Sequence, residues 1–154
     1  MSFSRKAVLA LTGIAALAMP LAVAGSASAS TDARCTVTPL KPVFDHVNSS
    51  GEKVIKYETK VTCSAGRSIE ILDERRDHDN LSTDDFEGSN TYNLRFDRAE
   101  TVTKYVLAVL PDADGWGDNN EEMYHSVGFQ VTEDNGYVSQ WTNWEDSTIV
   151  TFHL

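Results

Sequence analysis

What the 154-residue chain lacks narrows its chemistry before any positive feature is weighed. It has no Gly-x-Ser-x-Gly elbow, no His-Glu-x-x-His pair, no phosphate-cradling Gly-Lys-Ser/Thr and no dinucleotide glycine fingerprint. Those absences argue against the common serine hydrolases, zinc proteases and nucleotide enzymes. Basic residues are scarce, 13 Lys and Arg against 23 Asp and Glu, for a net charge of −10. Such a surface repels nucleic-acid phosphates and anionic lipid, and favours solubility, cationic partners or divalent metal. Only two cysteines occur, Cys35 and Cys63, with no histidine following at zinc-ligand spacing. There is no internal repeat, no low-complexity linker and no helical periodicity in the chain past residue 29.

The start of the chain has three parts. Arg5 and Lys6 form a positive segment, Ala7 to Ala24 is uncharged and apolar, and Ala27-Ser28-Ala29 offers the small residues a signal peptidase reads. Pro20 and Gly25 break the apolar run where a membrane anchor would continue. The pattern predicts a cleaved secretory signal over 1–29 and a single secreted domain over 30–154, without a membrane span. Loss of Arg5 and Lys6 leaves 11 basic residues against 23 acidic, a net charge of −12. In an oxidising compartment the two cysteines are expected to pair, closing a loop that stabilises the fold by about 3–4 kcal/mol. Their spacing suits a bridge pinning the first strand to the second, not the longer inter-sheet bridge of antibody domains.

Period-two alternation dominates the rest. From Lys53 to Cys63, Ile55, Tyr57, Thr59, Val61 and Cys63 share one face, while Lys56, Glu58, Lys60 and Thr62 lie on the other. Ser68 to Asp73 reads as a short strand, and Tyr92, Leu94 and Phe96 alternate with polar residues. Thr101 to Leu110, apolar on both sides, reads as a central strand. Met123, His125, Val127, Phe129 and Val131 form one face of a further strand. Asn135-Gly136 then signals a hairpin, with a return strand over Tyr137 to Trp141. Ser147 to Leu154 closes the chain. Cys35 to Leu40 begins a strand that Pro39 and Pro42 interrupt, so it belongs at an edge. These segments predict an all-β fold of seven to eight strands, a two-sheet antiparallel sandwich of immunoglobulin-like shape, with a barrel as the alternative. Two polar, acidic loops are expected, Glu74 to Asn90 and Pro111 to Glu122, with Pro42 to Ser50 as a looser segment.

The Cys35-Thr-Val-Thr-Pro39 opening, the Val61-Thr-Cys63 partner and the Arg67-Ser-Ile-Glu-Ile71 strand resemble small exported β-sandwich proteins of actinobacteria. The resemblance implies the fold and the source, and it assigns no activity and no functional residue.

Few side chains stand out chemically. His125 lies on an apolar face and is expected to be a hydrogen-bonded core residue. His153 is expected to be exposed. His78, inside Arg75-Arg76-Asp77-His78-Asp79, sits among carboxylates that favour its imidazolium, in what reads as a solvated charge cluster. Asp112, Asp114 and Asp118 offer hard oxygen ligands for calcium. Read as an EF-hand loop from Asp112, the segment puts Trp116 where the third ligand belongs and Met123 where the bidentate Glu belongs, so only a non-EF calcium site is open. No other cofactor is implied. Trp116, between two glycines in the acidic loop, is a candidate contact residue. So are Trp141 and Trp144, although at least one of that pair is expected in the core. The reading is a secreted, monomeric, non-catalytic domain that binds a protein or a carbohydrate, the acidic loops forming its contact surface. The alternatives are a secreted carboxylate-based hydrolase and an envelope-associated structural protein.

Overall fold

The computed structural model describes residues 29–79, 83–111 and 120–154. Two antiparallel sheets pack face to face as a sandwich, and neither closes into a barrel. The first contains β1 (Ser30–Asp32), β2 (Cys35–Pro39), β3 (Val43–Val47), β4 (Lys53–Cys63) and β7 (Glu100–Val109). The second contains β5 (Arg67–Asp77), β6 (Asp85–Phe96), β8 (Asn120–Glu133), β9 (Glu145–Asp146) and β10 (Val150–His153). Strand β4 is the axis of the first sheet: β2 and β3 lie end to end along one edge, and β7 runs along the other. In the second sheet β5 is flanked by β6 and β8, and β8 carries β10 and β9 on its far edge.

Cys35 and Cys63 are directly opposed on β2 and β4 and form a disulfide, with their Cα atoms 4.2 Å apart. That spacing belongs to a non-hydrogen-bonded antiparallel pair, where side chains approach most closely. The bridge therefore joins neighbours within one sheet. Around it lies a hydrocarbon core of Val37, Val61, Ile69, Ile71, Phe96, Val127, Phe129 and Val131. A smaller cluster of Ile55, Tyr57, Leu110 and Met123 fills the opposite end. Between the two clusters runs a polar layer: Thr59 from β4, Asp73 from β5 and His125 from β8, all fully buried.

Several expectations change. Strand β5 continues to Asp77 and β6 begins at Asp85, so most of Glu74–Asn90 is strand and not loop. Hydrophobic alternation cannot register this extension, because polar side chains occupy both faces. Glu74 and Arg76 pair outside, 2.6 Å apart, while Asp73 and Asp77 are buried. Arg75 sets its guanidinium carbon 6.0 Å from the centre of the Tyr57 ring. A bulge at Arg75/Arg76 places Gly88 opposite Arg75, at φ +126°, where an added Cβ would lie 2.4 Å from the guanidinium. The Pro42–Ser50 segment holds β3, so His46 lies on a strand. Strand β7 is not central: among the described residues it pairs with β4 alone, and it leaves Tyr105, Leu107 and Val109 exposed on its outer face. Strand β2 is a partial edge, since β1 covers Cys35 to Val37 and leaves Pro39 beyond its reach. No helix among the described residues is long and apolar enough to cross a membrane.

Candidate functional site: an aromatic strap at the seam of the sandwich

The Asp134-Asn135-Gly136 turn forms as expected, with Gly136 at φ +85° and the Gly136 amide donating to the Glu133 carbonyl (2.9 Å). The return strand does not. After a single bridge between Thr132 and Val138, the chain leaves regular pairing and runs as a strap along the edge of β8. Three hydroxyl residues hold it there by one repeated device. Ser139 donates its amide to the Val131 carbonyl and accepts the Val131 amide on its hydroxyl. Thr142 does the same with Phe129, and Ser147 with His125. Each hydroxyl oxygen takes the place a neighbouring strand's carbonyl would occupy, so the buried edge of β8 is satisfied without a continuous ladder. Glu145 of β9 pairs with Val127 in the gap.

The strap carries its large rings outward. Tyr137 is 59% exposed, Trp141 47% and Trp144 48%. The expectation that one tryptophan fills the core is thus overturned: Phe129, Met123 and Tyr57 already occupy the interior, and anchoring falls to small hydroxyl residues. Trp144 lies over Gly128 on the outer face of the second sheet, beside a cleft of about 220 Å³ formed with the Arg76–Glu74 pair and Asp146. Trp141 faces the seam between the sheets. There a polar groove of about 430 Å³ runs between β1 and the strap, with Asp32 on one wall and Tyr137, Gln140, Trp141 and Asn143 on the other. The side chains of Asp32, Gln140 and Asn143 and the Trp141 indole N–H hydrogen-bond to no other described residue.

The β1 wall is set by a two-residue turn in which Ala33 (φ 42°) and Arg34 (φ 65°) both adopt the left-handed region. Neither is glycine, so the turn is strained. Three neighbours fix it: the adjacent disulfide, the Ser64 amide donating to the Arg34 carbonyl, and Arg67 Nε donating to the Ala33 carbonyl.

The buried polar layer is the other concentration of chemistry. A carbonyl can only accept, so His125 Nε2 donates to the carbonyl of Leu40 (2.7 Å). Nδ1 faces Asp73 Oδ1 at 2.8 Å, and Thr59 donates to Asp73 Oδ2 at 2.8 Å. The Thr59 hydroxyl thus meets the carboxylate and not the imidazole, and both ring nitrogens are engaged. Since Thr59 lies on β4 and Leu40 follows β2 directly, its amide bonded to the Glu58 carbonyl of β4, while Asp73 and His125 belong to the second sheet, the group acts as an inter-sheet tie. His125 is the core residue its position on β8 predicts.

At the same end, His78 Nδ1 lies 3.1 Å from Asp84, whose other oxygen accepts from the Tyr124 hydroxyl. The Tyr124 hydrogen bond, with smaller help from the Asp79 amide and His78, holds the Asp84 carboxyl below its ordinary value. Burial first, then Asp84, pushes the Tyr124 hydroxyl up. His78 is therefore paired with Asp84, six residues on, while its sequence neighbour Asp77 is buried and accepts the Glu122 amide. His153 is exposed, as expected. The roots of the two acidic segments lie side by side, the His78 amide donating to the Glu122 carbonyl at 2.8 Å. Asp112, Asp114, Trp116 and Asp118 lie outside the described residues. Among the described residues no three His, Cys, Asp or Glu side chains are placed to hold a metal. No family model matches the chain, and no curated protein matches it.

Proposed function

We propose that the chain is a secreted, non-catalytic binding domain whose contact surface is the strap from Tyr137 to Trp144. The observation that carries this reading is three large rings held outward on a segment whose backbone is anchored at Ser139, Thr142 and Ser147. Half-exposed aromatic rings on a rigid support bring large contact area at little entropic cost. The one fully buried imidazole has both nitrogens engaged, which supports binding over turnover. The strongly acidic net charge suits a soluble domain outside the cell.

The test uses protein recovered after export of the full chain. Its retention on envelope and culture-supernatant material is compared with that of a Trp141→Ala/Trp144→Ala variant of unchanged thermal stability. Retention is expected to fall at least tenfold. Equal retention, or turnover of a glycosidase or esterase substrate that one carboxylate substitution abolishes, overturns the reading.

A further inference from the structure

We infer that the groove between β1 and the strap binds a neutral saccharide, one sugar ring stacking on Trp141 while its hydroxyls are shared among Asp32, Gln140 and Asn143. The inference deepens the binding-domain reading and rests on it.

Three features of the groove point to this ligand class. Its volume, about 430 Å³, lies within the usual range for small-ligand sites, about 300–1,000 Å³. Its large hydrophobic side chains are two rings, Tyr137 and Trp141, each roughly half exposed. A sugar ring matches that arrangement, since it offers a flat C–H face with hydroxyls around its rim. A peptide segment would need more apolar area to offset its ordering. The groove's free polar groups are also mixed in kind. Asp32 only accepts, the Trp141 N–H only donates, and the Gln140 and Asn143 amides do both. Hydroxyls donate and accept, so they satisfy all of these together. An anionic ligand meets Asp32 and the strongly acidic surface, which disfavours uronic or phosphorylated sugars.

Both walls are fixed before the ligand arrives. The strap is held by its hydroxyl pairs to β8, and β1 by the strained turn that the disulfide and Arg67 clamp. Ser30 and Thr31 belong to the groove wall, and Ser30 is the first residue expected after signal cleavage. The chain after export is therefore the form to examine.

The experiment is a two-dimensional ¹H–¹⁵N titration of the exported protein with neutral hexasaccharides of β-linked glucose, α-linked glucose and N-acetylglucosamine. At least one series is expected to move the Trp141 indole signal and the side-chain amides of Gln140 and Asn143. Trp141→Ala should weaken that binding about tenfold or more, while Tyr105→Ala, on the exposed face of β7 away from the groove, leaves it within about twofold. No shift with any series at about 10 mM sugar overturns the saccharide assignment, as do shifts centred on Trp144. Sugar failure combined with tenfold loss of envelope retention in the double tryptophan variant removes the ligand class alone and turns the search to a protein. Failure of both removes the binding-domain reading as well.

Discussion

The two ends of the sandwich are built on opposite principles. At the disulfide end, Val37, Val61, Ile69, Ile71, Phe96, Phe129 and Val131 pack as hydrocarbon around a covalent cross-link. Toward the other end, where the apolar cluster shrinks to Ile55, Tyr57, Leu110 and Met123, strands β4, β5 and β8 turn Thr59, Asp73, Arg75, Asp77 and His125 inward. The first end gains stability from water exclusion, about 1.5–3 kcal/mol for each fully buried large side chain. The second depends on each polar atom keeping its partner, because removing one leaves the other buried and unsatisfied. A substitution that is mild at one end is therefore severe at the other, and the contrast can be tested in order of expected effect.

The largest effect is expected in the polar layer. Asp73→Ala strands donors on Thr59 and His125 and should cost about 3–5 kcal/mol by urea unfolding. Replacing the group together, as Thr59→Val, Asp73→Val and His125→Leu, should recover much of that loss, since apolar groups of similar shape leave fewer orphans. If the triple variant is no better than Asp73→Ala alone, the two ends do not differ as described.

At the disulfide end, opening the Cys35–Cys63 loop by reduction or by Cys35→Ser/Cys63→Ser should cost about 3–4 kcal/mol, chiefly by freeing the unfolded chain. Gly88→Ala probes the charged end more gently. It places a methyl group against the Arg75 guanidinium at a backbone angle suited to glycine, and about 1–3 kcal/mol should be lost by thermal melting.

The smallest effect concerns pH. The folded value of Asp84 lies below its unfolded value, so its stabilisation is complete above about pH 4 and is lost as pH falls through the folded value. Glu87 has the opposite sign: burial first, then Asp77 and Asp85, raise its carboxyl, and stability falls as pH rises through that range. Tyr124→Phe removes the main support of Asp84. The stability gap between wild type and Tyr124→Phe should be widest at neutral pH and narrow as acid is added. A gap that is constant with pH would show that Tyr124 acts through packing alone.

The same contrast explains what the sequence reveals. Strand β4 runs over Lys53–Cys63 as its alternation predicts, and the inward face of β8 matches residue for residue, because both line a largely apolar interior. The end of β5 and the start of β6 escape notice since their inward residues are Asp, Arg and Glu, for which a hydrophobic period has no meaning. Strand β7 misleads in the other direction: its apolar outer face resembles burial, yet no layer covers it among the described residues. The tryptophans mislead through size, their bulk suggesting a core role that Ser139, Thr142 and Ser147 make unnecessary. The spacing of those hydroxyl residues opposite Val131, Phe129 and His125 was the usable signal for the strap. It becomes meaningful only once the register of β8 is known.

That strap also bears on how the molecule behaves when crowded. A bare strand edge is a template on which a second chain can lay down an identical row of amides and carbonyls, and repeated addition leads to fibres. Along β8 the row is already occupied, in part by side-chain oxygens that present no onward ladder of their own. An arriving strand would have to evict three hydroxyls and gain no pattern to extend. The strap ends growth in that direction, leaving a surface for recognition without a seed for polymerisation.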